Sequence, residues 1–174
     1  MTPKSLRTLK AKWISTIVLA ALGAAVYGGT VLATTGTGFT SATLAKAQLD
    51  ELNIKGHSKA DHWKVKLKTK GLSDLYVQSN VWSPGGSSGW HTHPGPSLIT
   101  VTAGSVTVYE GDDPSCTPHV YSASGTNAFV DVGGGDVHLV RNEGTVEARA
   151  VVVQFVPTGA VRRIDAPAPA NCPF

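Results

Sequence analysis

From Trp63 onward the chain breaks into short strand-like runs separated by turn residues. In Trp63-Lys64-Val65-Lys66-Leu67-Lys68-Thr69-Lys70 apolar residues alternate with lysines, the pattern of a strand with one face on a core and the other in water. Residues 71–74 read as a turn and 75–82 as the next strand. Residues 97–102 and 105–109 read as two strands joined through Ala103-Gly104 in a hairpin. Turn residues mark 111–118 as a loop. Short strands at 120–121 and 128–132 flank a turn containing Gly125, and Gly133-Gly134-Gly135 precedes a strand over 136–142. A last long strand over 146–156 ends at Pro157. Strands at intervals of about ten residues, with no convincing helix, predict an all-β sandwich or barrel built from antiparallel pairs.

Residues 41–54 stay open between two readings. Leu44, Gln48, Leu49 and Leu52 fall near helical spacing, whereas the short length and the following Lys55-Gly56 also permit strands. Residues 34–40, rich in Thr and Gly, read as a flexible linker. Residues 165–174, rich in Pro and Ala, read as a tail extended over the surface. One β domain over 41–164 therefore lies between linker and tail, and a chain of 174 residues is long enough to give it a substantial core.

Residues 1–33 stand apart. Lys4, Arg7, Lys10 and Lys12 precede an apolar run over 13–33 that contains no acidic residue and has about the length that spans a bilayer. Ser15, Thr16, Gly23, Gly28, Gly29 and Thr30 make it less apolar than a permanent span, and Val31-Leu32-Ala33 offers the small residues signal peptidase requires. It reads either as a signal peptide cleaved near Ala33 or as a retained membrane anchor, and the missing Arg-Arg pair points to the general secretory route. Both readings put the domain outside the cytoplasmic membrane, whether extracellular, periplasmic or anchored and facing outward, with this segment as its only membrane contact. Without those four cations the formal charge of +3 becomes −1, so the domain has no basic balance suggesting nucleic acid. Cys116 and Cys172 are the only cysteines, and in an oxidising compartment they read as one disulfide tethering the tail to a mid-chain loop. Closing a loop of about 55 residues stabilises by about 4 kcal/mol in the chain-entropy model.

Chemistry concentrates in residues 84–104. His91 and His93 are separated by one residue, and on an extended strand such residues share a face, so both imidazoles look one way. Converging neutral imidazoles suit Zn, Fe, Cu, Ni or Mn and need a further ligand from elsewhere. His138, at the start of a strand behind the glycine triplet, is the natural third, and the three would leave positions for water or substrate. His57 and His62 read as solvated surface residues, and His119 as structural or exposed. Trp90 reads as core or pocket lining, and Asn142 as a turn residue or a support for the ligands. Tyr76, Tyr109, Tyr121 and Gln154 are candidates for the barrel interior, their facing undetermined within one residue of register.

These residues resemble the two motifs of the cupin superfamily. The first motif has a glycine, two histidines one residue apart, a glutamate and a glycine ending a hairpin; the matching positions are His91, His93, Ser97 and Gly104. The second, a Pro-x-Gly turn, a histidine and an asparagine, is similar to Gly133-Gly134-Gly135 with His138 and Asn142, glycine replacing the proline. The resemblance covers residues 63–156. It implies a jelly-roll-like single-domain β-barrel with one divalent transition metal (Fe, Mn, Cu, Ni or Zn) near one end of its interior. Ser97 stands where the family usually supplies a carboxylate ligand, and a neutral hydroxyl is a poor ligand for a divalent cation. The expected ligand set is then His91, His93 and His138 alone, as in cupin-type thiol dioxygenases, with Ser97, Tyr109 and Gln154 as candidates around the bound species. Ser97 would hydrogen-bond a metal-bound water or fill space.

Three functions stay open: a dioxygenase-like oxidoreductase acting on a small organic molecule, a non-catalytic cupin module binding a metal or small ligand, and a barrel with vestigial histidines. Imidazole binds metal only when neutral, so affinity is expected to fall as pH drops through about 6. Cupins often pair through their sheets, and the N-terminal strands are available for a homodimer, although no residue demands it.

Overall fold

The computed structural model describes residues 32–58 and 62–174, and every helical or extended element among them is a strand. In chain order these are β1 (Thr37–Leu49), β2 (Asn53–His57), β3 (Lys64–Lys68), β4 (Ser73–Ser87), β5 (His91–Thr92), β6 (Ser97–Ala103), β7 (Ser105–Glu110), β8 (His119–Ser122), β9 (Ala128–Asp131), β10 (His138–Arg141), β11 (Ala148–Pro157) and β12 (Ile164–Asp165). The leader expected over 1–33 lies outside the described residues apart from Leu32 and Ala33. No helix among the described residues is long and apolar enough to cross a membrane.

Two faces make the barrel. One runs β1, β4, β11, β6, β9 and the other β12, β5, β10, β7, β8, all in antiparallel pairs. The long β4 joins them: its body pairs β1 and β11, and its last residue, Ser87, pairs Arg141 of β10. This is the nearly closed jelly roll of a cupin-type barrel. Alternation along β11 buries Ala148, Ala150, Val152 and Val156 and turns Arg149 and Val151 outward. Ile99 and Val101 of β6, Val106 and Val108 of β7, Val140 of β10 and Trp82 of β4 complete this core. Burying each such aliphatic side chain contributes about 1.5–3 kcal/mol.

A second cluster, Trp90, Tyr109, Leu139, Ala166 and Cys172, forms on the other side of the β10–β7 pair. There the tail docks, held by the Cys116–Cys172 disulfide across a Cα–Cα distance of 5.4 Å.

The hairpin expected at Ala103-Gly104 is not formed. β6 pairs β11 and β9, whereas β7 pairs β10 and β8, so the chain passes from one face to the other. Gly104 turns this corner with φ of 64°, and a Cβ there would meet the Glu147 carbonyl oxygen at 2.6 Å. Splitting the two strands between faces lets the apolar sides of both enclose one core. Residues 37–40, expected within a flexible linker, are the first residues of β1: Phe39 lies opposite Trp82, with ring centroids 5.0 Å apart. Even Thr34 is tied, its N–H donating to the Ala166 carbonyl at 2.9 Å and its Oγ1 accepting the Trp90 N–H at 2.6 Å. Threonine suits a strand better than a coil. The same strand decides the open reading of 41–54 through Leu49.

Within residues 63–70 a strand does form over Lys64–Lys68, but β3 pairs only with β2 in a separate two-stranded sheet. Its apolar residues find no core: Trp63 is 58% and Val65 43% exposed.

Candidate metal centre

His138 on β10 is the direct cross-strand partner of His91 on β5. His93 follows at the corner after β5, where its carbonyl accepts the Gly134 N–H at 2.8 Å. That contact joins the two histidine-bearing segments, and Gly133 makes it possible: its φ is 67°, and a Cβ would overlap the Gly95 backbone. One nitrogen from each of the three imidazoles lies within 4.8 Å of the others. Ring centroids are 4.4 Å apart for His91 and His138, 4.9 Å for His91 and His93, and 5.4 Å for His93 and His138.

Two of the rings have their tautomer set. His91 donates Nδ1–H to the Gly89 carbonyl at 2.8 Å, and His93 donates Nδ1–H to the Arg162 carbonyl at 2.7 Å. In the neutral rings this leaves each Nε2 with a lone pair, the form a metal binds. Burial holds His91 far below the ordinary imidazole range, with His138 adding to the effect. Burial also lowers His93, the Arg162 hydrogen bond opposing it. His138 is pushed down to about 4, by burial first, against the pull of Asp131. Three neutral nitrogen donors around one point, with ring orientations fixed from behind, fit a transition metal.

The histidines open into a cavity of about 70 Å³ whose wall includes Ser97, Gln154, Arg162 and Arg163, with Trp82 and Val152 on its apolar side. Ser97 is buried and accepts a hydrogen bond from Gln154 Nε2 at 3.1 Å, and both line the cavity. Tyr109 does not. Val108 takes the inward position on β7, and Tyr109 turns to the outer cluster, donating to Glu143 Oε1 at 2.8 Å and packing 4.7 Å from the Phe174 ring. Tyr121 packs on Phe129, and Tyr76 carries the Arg162 guanidinium 5.4 Å above its ring. Trp90 belongs to the outer cluster. Asn142 is a turn residue: its Nδ2 donates to the Trp82 and Val146 carbonyls and its Oδ1 accepts the Gly144 N–H. His57, His62 and His119 are exposed.

Asp131 escaped the sequence reading. It ends β9 facing inward, its carboxylate 3.8 Å from His93 and 3.7 Å from His138. The available signal was alternation: in Phe129-Val130-Asp131-Val132 the acidic residue shares the side of Phe129, which packs on the barrel core.

The family model of the cupin domain matches residues 81–154. No curated protein matches the chain. Among solved structures it is similar to an oxalate oxidase at 24% identity, over 52% of this chain and 45% of that one, with a TM-score of 0.43. It is similar to the polyketide cyclase RemF from Streptomyces resistomycificus at 20% identity, over 56% and 65% of the two chains, with a TM-score of 0.43. A Cupin 2 conserved barrel domain protein from Leptotrichia buccalis is similar at 16% identity, over 67% and 40%, with a TM-score of 0.41. The chain thus spans less than half the length of the oxalate oxidase. The family match begins within β4, ends at Gln154 of β11 and takes in all three clustered histidines, so residues 81–154, the part of the barrel that carries the site, match a cupin domain.

Proposed function

We propose that His91, His93 and His138 hold one divalent transition metal and that the protein is an exported, dioxygenase-like oxidoreductase acting on a small organic substrate. The observation that carries this reading is the convergence of three neutral imidazoles at the wall of a cavity. A bound iron, copper or manganese would supply Lewis acidity and redox chemistry with O₂. The chain's own residues do the rest. The Gly89 and Arg162 carbonyls orient His91 and His93, Gln154 fixes the Ser97 hydroxyl in the cavity wall, and Trp82 and Val152 supply apolar wall to it. A cavity of about 70 Å³ has room for about five waters, which restricts the substrate to a few heavy atoms. Arg162, which unlike Arg163 forms no ion pair among the described residues, gives it a cationic edge suited to a small organic anion. The disulfide supports an oxidising compartment, and with the basic-then-apolar leader it supports export.

Elemental analysis of the full chain from an exporting host, beside the His91→Ala, His138→Ala double variant, tests the site. Near-stoichiometric metal that vanishes in the variant is expected; no metal in either protein after reconstitution removes the proposal. Oxygen uptake over a panel of small organic acids then tests the chemistry. Ser97 in the usual carboxylate position favours a second reading, a non-catalytic metal-binding module, and stable metal without oxygen uptake would establish it.

A further inference from the structure

Ser97 does not leave the site without a carboxylate. Asp131 is its direct cross-strand partner in the β6–β9 pair, so a carboxylate occupies the neighbouring strand at the same level of the barrel. Resting on the three-histidine reading, we propose that Asp131 is the fourth ligand of the metal centre, bound through Oδ2.

The hydrogen bonds of the site separate the two carboxylate oxygens. Oδ1 accepts the Gly133 N–H at 2.8 Å, which fixes the side chain on the loop that also binds the His93 carbonyl. Oδ2 is buried and has no hydrogen-bond partner, although the residue is only 9% exposed. A buried acceptor left unpaired is costly, and among the described residues no lysine or arginine forms an ion pair with this group. Two imidazoles lie within 4 Å of the carboxylate, His93 Nε2 nearest Oδ2 and His138 Nδ1 nearest Oδ1. Oδ2 lies 3.8 Å from His93 Nε2, and that nitrogen carries a lone pair because Nδ1–H is spent on the Arg162 carbonyl. Oδ2 and the His93 Nε2 lone pair therefore face each other inside the buried site, an arrangement that a shared cation makes favourable. Donors bound at about 2.0–2.2 Å to one ion sit roughly 3–3.5 Å apart, so Oδ2 needs only a few tenths of an ångström to reach that distance from His93, and a rotation of the Asp131 side chain to join the cluster of the three imidazoles, outside which it stands. The centre then carries one negative ligand, unlike the all-imidazole set of the thiol dioxygenases.

Titration of the metal-free full chain with Co²⁺ alone, followed by calorimetry and by visible d–d absorption, separates the possibilities. Asp131→Asn keeps an Oδ1 acceptor for the Gly133 N–H, and Asp131→Ser offers a hydroxyl there should the first variant misfold. Either variant is expected to weaken Co²⁺ binding by about 10- to 100-fold or more and to change the d–d spectrum. The metal-free Asp131→Asn protein is expected to melt no lower than metal-free wild type, since its amide can place an N–H donor opposite the His93 Nε2 lone pair where the unpartnered oxygen stood. Ser97→Glu added to Asp131→Asn returns the carboxylate to the family's usual strand and is expected to recover affinity. Unchanged affinity and spectrum in the single variant would overturn Asp131 as a ligand while leaving the three-histidine site intact. A wild-type protein that takes up no Co²⁺ overturns both.

Discussion

β3 and β11 both read as strands in sequence and end in opposite surroundings. β3 alternates apolar residues with lysines, whereas β11 is apolar on both sides apart from Arg149 and Gln154, and both pair antiparallel. β11 lies between β4 and β6, and its inward residues are almost wholly buried, with Ala148 at 0% and Val152 at 4% exposure. β3 has one neighbour, β2, and nothing covers its apolar side among the described residues. Alternation reports that a strand has two unlike faces. Whether the apolar face meets a core depends on which other strands the topology brings over it.

Matched tryptophan substitutions give the widest separation. Trp82, 2% exposed and stacked near Phe39 in the barrel, should cost about 3–5 kcal/mol when changed to Ala, a fall in Tm of roughly 10 °C or more. Trp63, beside the ribbon and 58% exposed, should cost within about 0.5 kcal/mol. Thermal melts followed by circular dichroism check both, and equal losses would mean that the ribbon is covered in solution.

Acid should act on the barrel through its histidines. His138 titrates near 4 in the folded protein against about 6.5 in an unfolded chain, so the unfolded state binds the proton first. Stability is therefore full above pH 6.5 and declines as pH falls from there toward 4, by about 3 kcal/mol for this residue. Melts of the metal-free protein between pH 7.5 and 4 check the sign. For the same reason, proton competition for the metal should set in nearer pH 4 than the value of about 6 expected for a free imidazole.

Removing the ribbon should do least. Replacing residues 53–68 by a short Gly/Ser turn leaves every pairing of the barrel sheet in place. Metal content should be unchanged and Tm should move by a few degrees at most, about 1 kcal/mol. Loss of metal on this deletion would show that the ribbon supports the site after all.

The sequence by itself determined the strand-by-strand alternation, the shared face of His91 and His93, the association of His138 with them through the motif resemblance, and the pairing of Cys116 with Cys172. Each rests on local spacing or on a pattern short enough to read directly. Tertiary structure decided that residues 97–102 and 105–109 part company at Gly104, that Thr37–Thr40 join a strand, that Tyr109 turns away from the cavity, and that Asp131 turns into it. Those outcomes depend on pairing and register between segments far apart in the chain. A shift of one residue exchanges the two faces of a strand, so local pattern names the candidates and only the closed barrel chooses among them.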